Sequence, residues 1–409
     1  MSFKGTPMYM KSINKKRVLQ CIQENAPISR AEIAGKIKIS KPTVSLLVDE
    51  LIQEQWVFEK GNGEASSQGG RRPIQLYFND RAAYIIGTDI GGTKVNTVVS
   101  DLRGNIIASS SFTTGAYLES GLLKQIASEV ERLLQQNNIG RTDILGMGAG
   151  VPGITETATG IVVEAPTLNW VQYDFISEAK KYFSFPVYVD NDVNAAALGE
   201  QWLGSAKNRK NVLFIAVGTG IGSGIIINNQ LYRGSSSAAG EIGYMVTDKT
   251  DLKHDFKPTF HRYGYLESVA GGKSIGDKFT THIRNEPDHA LFEQAKTSEL
   301  TGEMAFERAK KGDRIALEVI EEAIEHLAYG VINAASLLNP EVIILGGGVL
   351  QSTELILPAL RKIVNQYLPS SVEIHTSQLG DHAGVLGAVS LFLREHASIL
   401  NYHDEGDCL

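Results

Sequence analysis

The sequence predicts an N-terminal winged helix-turn-helix joined to an α/β body of two lobes, and three observations carry that expectation. The first 80 residues pattern as three short helices and then two strands around a Gly-rich loop. Beyond them, three apolar runs each end in glycines, at Gly91-Gly92, at residues 218–224 and at Gly346-Gly347-Gly348, as strands do when they turn sharply. Composition agrees. The 409 residues allow two or three domains, 43% hydrophobic and 21% charged residues are ordinary for a soluble globular chain, and 41 glycines suit strand-to-loop turns better than a helical bundle.

The same arithmetic excludes several classes. Cys21 and Cys408 are the two cysteines and stand at opposite ends, so neither a disulfide framework nor a Cys-rich zinc ribbon is expected, and a cytoplasmic setting is. Residues 1–16 carry four lysines without an apolar segment and are not expected to be a signal peptide. Residues 211–232 are uncharged but broken by Gly218, Gly220, Gly222 and Gly224, so no membrane span is expected. The net charge of −7 divides unevenly: residues 1–80 hold 12 Lys+Arg against 8 Asp+Glu, and the remainder 27 against 38. The basic end is where a polyanion would bind.

In the first helix, over residues 13–23, Ile13, Val18, Leu19 and Ile22 approximate helical spacing. Ser29 and Glu32 have the capping-box spacing at the start of the second helix. Ser40 caps the third, Pro42 suits its first turn, and Val44, Leu47, Val48 and Leu51 face inward. That leaves Ser40, Lys41, Thr43 and Ser45 outside, near the helix N-terminus, where short polar side chains approach base edges. Any three-helix unit shares this pattern. The strands at residues 56–59 and 74–78 add a wing whose loop carries Arg71 and Arg72, a pair suited to phosphates or a narrow minor groove. Double-stranded operator DNA is therefore the expected partner, bound by a homodimer or a dimer of dimers, because one small reading helix covers too few base pairs.

After Asp80 the texture becomes strand, turn, strand. Asp89, Gly91, Gly92, Thr93 and Lys94 form a turn whose amides and side chains can approach phosphate oxygens, with Asp89 placed to orient a metal-bound water. Gly218, Thr219 and Gly220 offer a second such turn, and Gly346 and Gly347 a surface for an adenine or its ribose. Between them an apolar strand at residues 185–189 delivers Asp190, Asn191 and Asp192 to the start of an Ala-rich helix. Asp192 is placed to act as a base; the same residues equally suit a helix N-cap.

These segments resemble the ROK family of repressors, open reading frames and sugar kinases. The match covers nearly the whole chain: the phosphate segments at residues 89–94 and 218–224, the Asn-Asp pair at Asn191-Asp192, the Gly-Glu segment at Gly240-Glu241-Ile242-Gly243, and the Leu-Glu segment at Leu266-Glu267. The fused winged helix resembles the repressor branch, which includes the xylose and N-acetylglucosamine repressors. The resemblance implies an actin-like, hexokinase-type, ribonuclease-H-like body in which Asn191, Asp192, Glu241 and Glu267 hydrogen-bond sugar hydroxyls, Tyr244 stands with them at the family's histidine position, and Pro152-Gly153 and Asn169-Trp170 shape the cleft. It also marks a departure. The family's zinc-binding histidine is replaced by Tyr244, and Pro258, Phe260 and Tyr265 stand where its cysteines would be, so no structural zinc is expected.

The expected organisation is a winged helix at 1–80, a first lobe at 81–198 plus about 381–400, and a second lobe at 199–380. The expected function is a sugar-responsive transcriptional repressor of carbohydrate utilisation genes, with a free sugar, xylose or a hexose, as effector and no required cofactor. The alternative is an ATP-dependent sugar kinase with Asp192 as base, which would need ATP and Mg.

Overall fold

Caps and apolar spacing set the first helices. In the computed structural model, which describes residues 7–62, 72–118, 121–249, 264–351, 353–369 and 371–396, α1 (Pro7–Asn25) buries Val18, Leu19 and Ile22. The Ser29–Glu32 capping box opens α2 (Arg30–Ile37), and Ser40 Oγ accepts from Thr43 N at the start of α3 (Lys41–Gln53). Val44, Leu47, Val48 and Leu51 form the inward face of α3. β1 (Val57–Asn62) and β2 (Ile74–Phe78) pair antiparallel as the wing. Residues 63–71, Arg71 among them, lie outside the described residues, whereas Arg72 is exposed at the foot of β2.

The first lobe comprises β3 (Tyr84–Ile90), β4 (Lys94–Ser100), β5 (Ile106–Thr113), α4 (Leu122–Gln136), β6 (Ile144–Val151), β7 (Ile154–Glu156), β8 (Ile161–Ala165), β9 (Trp170–Asp174), α5 (Phe175–Ala179), β10 (Val187–Asn191) and α6 (Asp192–Leu203). The second begins with β11 (Val212–Val217), β12 (Ile221–Ile227) and β13 (Gln230–Leu231). It continues through α7 (Tyr265–Ala270), α8 (Gly272–Arg284), α9 (Phe292–Thr297), α10 (Gly302–Lys310), α11 (Arg314–Leu338), β14 (Val342–Gly346), α12 (Thr353–Tyr367) and β15 (Glu373–Thr376). The last helix, α13 (Ala383–Glu395), returns to the first lobe and packs on β3, β6 and α6.

Both five-stranded sheets have the same order. The first runs β10-β6-β3-β4-β5 and the second β13-β12-β11-β14-β15. In each, an antiparallel run of three strands is extended by two parallel ones, so the lobes are one topology used twice. The parallel strands β6 and β14 are buried nearly throughout, as strands covered on both faces must be.

Close approach explains the glycines of β6 and α13. A Cβ at Gly148 would overlap the Ala388 carbonyl, and one at Gly387 would overlap that of Ala195 on α6, so α13 is wedged between sheet and helix without a gap. α6 runs continuously through the expected boundary at 198/199 to Leu203, and Gly199 within it allows the close approach of the Ala383 carbonyl. The wing and the first lobe share one apolar core: Leu76 and Phe78 pack in the same cluster as Ile85 and Val98 of the sheet and Val385 and Phe392 of α13. Among the described residues no helix is long and apolar enough to cross a membrane.

Candidate functional site

The C-terminal ends of parallel strands are where an α/β sheet presents ligand groups, and Asp89 and Asn191 stand there on β3 and β10, with β6 between them. The two functions read into residues 191–192 are both present, divided between the two side chains. Asn191 is the N-cap of α6, its Oδ1 accepting from Val193 N at 2.9 Å and Asn194 N at 3.0 Å. Its Nδ2 donates to Gly153 O and to Asp192 Oδ1, both at 3.0 Å. The amide's two donors and two lone pairs are thus taken up within the chain, so in this arrangement Asn191 holds Asp192 and the Pro152–Gly153 turn and has no hydrogen bond left for a sugar. Asp192 Oδ1 also accepts from Val193 N at 2.9 Å, which leaves Oδ2 to accept from a ligand.

Two further carboxylates, Asp89 and Glu241, are coupled electrostatically to Asp192, and Glu267 is coupled to Glu241. Burial and the Asp192 charge push Asp89 up to about 7, and burial pushes Asp192 itself up to about 6. The surrounding protein, and then Asp192, raise Glu241, whose side chain is open to solvent. Burial, together with Glu241, takes Glu267 to about 7 against the hydrogen bond that Ile221 N donates to its Oε1 at 3.1 Å. Glu267 therefore supports the second glycine hairpin: a Cβ at Gly220 would collide with its carboxylate. A cluster of partly protonated carboxylates from both lobes suits neutral, hydroxyl-rich ligands, which both donate and accept.

The first glycine turn is closed by Gly91 N donating to Lys94 O at 2.9 Å and Thr114 Oγ1 donating to Gly91 O at 2.7 Å, with Gly92 against Thr167 and with Thr93 and Lys94 exposed. In the second, Gly218 N donates to Gly220 O at 2.9 Å and Gly272 N to Gly218 O at 2.8 Å. A cavity of about 630 Å³ opens beside it, lined by Gly218, Thr219, Lys273, Glu303, Gly348 and Val349 among others. Gly346 and Gly347 do not line it: Gly346 lies under the Phe214 ring, and Gly347, at φ 97°, is pressed against Val217 O. The next two residues, Gly348 and Val349, line the cavity instead.

Tyr244 ends a short 3-10 turn and is 56% exposed, while Tyr265 is buried at the start of α7. Pro258 and Phe260 lie outside the described residues.

On α3, the helix expected to read DNA, Ser40 and Thr43 hydroxyls bond each other at 2.7 Å as part of the cap, Ser45 is half-buried and Lys41 is exposed. Sequence reasoning missed the middle of this face, where Leu46 is 56% exposed. It also missed Arg30, which bonds Asp49 of α3 at 2.7 Å and Glu59 of β1 at 2.5 Å and so offsets the acidic charge there. Arg233 was missed as well: its Nε donates to Asp190 Oδ2 at 2.7 Å and a terminal nitrogen to Glu395 Oε1 at 2.9 Å. No local motif marks an isolated arginine of this kind.

Comparison with known proteins agrees with this geometry. Residues 85–395 match the ROK family and residues 11–57 a winged helix-turn-helix DNA-binding domain. A xylose repressor of Caldicellulosiruptor bescii is 33% identical over 407 residues, covering 97% of this chain and all of that protein. Among solved structures, a ROK family transcriptional regulator homologous to the Escherichia coli MLC protein superposes with a TM-score of 0.78 at 24% identity, covering 94% of this chain and 96% of that one. A ROK family glucokinase from Streptomyces griseus, solved with glucose and AMPPNP, gives 0.65 at 28% identity over 76% of this chain and 99% of its own. With both matches spanning the elements described, the chain belongs to the ROK family and carries a winged helix-turn-helix at its N-terminus.

Proposed function

We propose that this protein is a transcriptional repressor that binds operator DNA as a homodimer or dimer of dimers and answers to a free sugar held between its lobes. The observation that carries the reading is the apolar cluster shared by the wing and the first lobe, to which Leu76 and Phe78 belong together with Val385 and Phe392. A continuous apolar joint of that kind can pass a rotation of the lobes to the DNA-reading helix. The convergent carboxylates supply the sugar side, with Asp192, Glu241 and Glu267 as contacts, Tyr244 at their margin and Asn191 acting through Asp192. The likeness to a xylose repressor at 33% identity favours xylose within the panel of sugars. The test is affinity for a duplex selected from a randomised pool by the full chain, titrated with xylose, glucose, N-acetylglucosamine and their phosphates. A response to one free sugar supports the reading, and no response to any of them refutes it.

The kinase alternative has one specific observation behind it. Asp89 and Asp192 are paired, raised carboxylates beside intact glycine turns, a donor set that fits a divalent cation and a nucleotide phosphate. ATP-dependent sugar phosphorylation at the rates of a kinase, with no DNA response, would replace the repressor reading. Neither reading requires structural zinc: Tyr244 and Tyr265 offer no thiolate or imidazole, and elemental analysis of the purified chain should find less than one zinc per chain.

A further inference from the structure

The segment that carries Glu241 begins at Arg233 and is closed on itself by Ala239 N donating to Arg233 O at 3.1 Å, which ties the two residues into one turn of backbone. From this second-lobe segment Arg233 reaches across to the first lobe with two arms. One arm is the 2.7 Å ion pair to Asp190, which is 1% exposed and directly precedes Asn191. Asp190 Oδ1 in turn accepts from Asn191 N at 2.7 Å and Asn194 Nδ2 at 3.0 Å, so the arginine fixes the strand end and the helix start that present Asp192. The other arm is the 2.9 Å pair to Glu395 on α13, one turn beyond Phe392, which belongs to the core shared with the wing. Beside this junction Asn194 Oδ1 is buried without a hydrogen-bond partner.

We propose that Arg233 is the positioning residue that assembles the sugar site from its two halves and passes sugar occupancy to α13: the Asp190 arm sets the distance between Asp192 and Glu241, and the Glu395 arm carries lobe movement to the helix beneath the DNA reader. The inference rests on the repressor reading for its second arm only.

The experiment measures two quantities on the full chain: the dissociation constant for D-xylose, with D-glucose and N-acetylglucosamine alongside, and the ratio of affinities for the selected duplex without and with saturating sugar. Arg233→Ala is expected to weaken sugar binding about tenfold or more and to bring the affinity ratio towards one, against the roughly 5–150-fold typical of such coupling. Arg233→Lys, which keeps the charge opposite Asp190, is expected to recover most of the sugar affinity. Glu395→Ala is expected to keep the sugar dissociation constant within about twofold while lowering the affinity ratio, a separation that general loss of stability does not produce. Sugar affinity unchanged in a folded Arg233→Ala chain overturns the first arm, and an unchanged ratio in Glu395→Ala overturns the second. A wild-type chain that binds sugar without any change in DNA affinity refutes the repressor reading, and the sugar constants alone then decide the first arm.

Discussion

Glu200 of α6 and Ser377 of the second lobe are joined by a 2.6 Å hydrogen bond, Ser377 Oγ donating to Glu200 Oε1. Leu379 N donates to the same oxygen at 2.9 Å and Ser205 N to the other at 2.7 Å, with no part of Glu200 exposed. The chain leaves the first lobe through α6 and comes back through this loop into α13, so one carboxylate holds both crossings and acts as a fixed pivot. Glu200→Gln sets an amide nitrogen against one of these donors. The variant is expected to lose about 2–4 kcal/mol, read as a lower denaturation midpoint with the native far-ultraviolet spectrum retained below it. An unshifted midpoint would show that the pivot is dispensable.

Stability should fall as pH rises through neutrality because of the cleft carboxylates. Asp89 moves from 3.8 to about 7, Asp192 from 3.8 to about 6 and Glu267 from 4.5 to about 7, in each case chiefly through burial. The folded chain therefore keeps protons that the unfolded chain has released. Their contribution is fully present below about pH 4 and is lost as pH rises through 6–7. Asp89→Asn is neutral at every pH, so relative to wild type it is expected to stabilise by on the order of 2 kcal/mol at pH 8 and by less at pH 5. Parallel stability curves for the two proteins across that range would contradict the assignment.

What was legible in the sequence follows from periodicity and from local caps. Val44, Leu47, Val48 and Leu51 could be placed inside α3 because helical burial repeats every 3.6 residues, and the Ser29–Glu32 box could be read because capping is local. The convergence of Asp89 with Asp192 could not, since it depends on β3 and β10 flanking β6, a pairing across about a hundred residues. Leu46 was hidden because a single exposed leucine is ordinary on any surface. Base and cap competed as readings of residues 191–192 because spacing cannot tell two neighbouring side chains apart, and only the hydrogen bonds of Asn191 assign the cap to it and free one oxygen of Asp192.

Leu46 is expected to read a thymine methyl group. It stands 56% exposed on the outward face of α3, next to Asp49, whose charge is held by Arg30. The thymine methyl is the main apolar group that base edges present to an apolar side chain in the major groove. Replacing thymine by uracil at successive positions of the selected duplex should therefore cost about 1 kcal/mol at one position per half-site, and Leu46→Ala should abolish that sensitivity. Arg72→Ala should instead weaken binding to all sequences alike and lower the salt slope by about one. A uracil scan that is flat for wild type would remove Leu46 from the reading face without touching the phosphate contacts.

Substitutions at Asp192 and Glu241 should separate sugar holding from phosphoryl transfer. In Asp192→Asn the retained Oδ1 can still accept from Val193 N and Asn191 Nδ2, as it does now at 2.9 and 3.0 Å, so the side chain keeps its orientation and turns an amide nitrogen to the ligand. That group pairs with a sugar hydroxyl but cannot remove its proton. Sugar affinity is therefore expected to stay within about tenfold and the DNA response to persist, while any ATP-dependent turnover is lost. Glu241→Ala removes an acceptor contributed by the second lobe, and calorimetry is expected to show sugar binding weakened about 10–100-fold, or roughly 1.4–2.7 kcal/mol. It also removes one of the charges facing Asp192, and the repulsion relieved at pH 8 offsets part of the loss there, so the loss should be larger at pH 5.5, where the cluster is largely protonated and each carboxyl can also donate, than at pH 8. If Asp192→Asn abolished sugar binding while Glu241→Ala left it unchanged, the cleft would hold its sugar through the first lobe alone, and closure of the lobes around a sugar could not be what moves the DNA-reading helix.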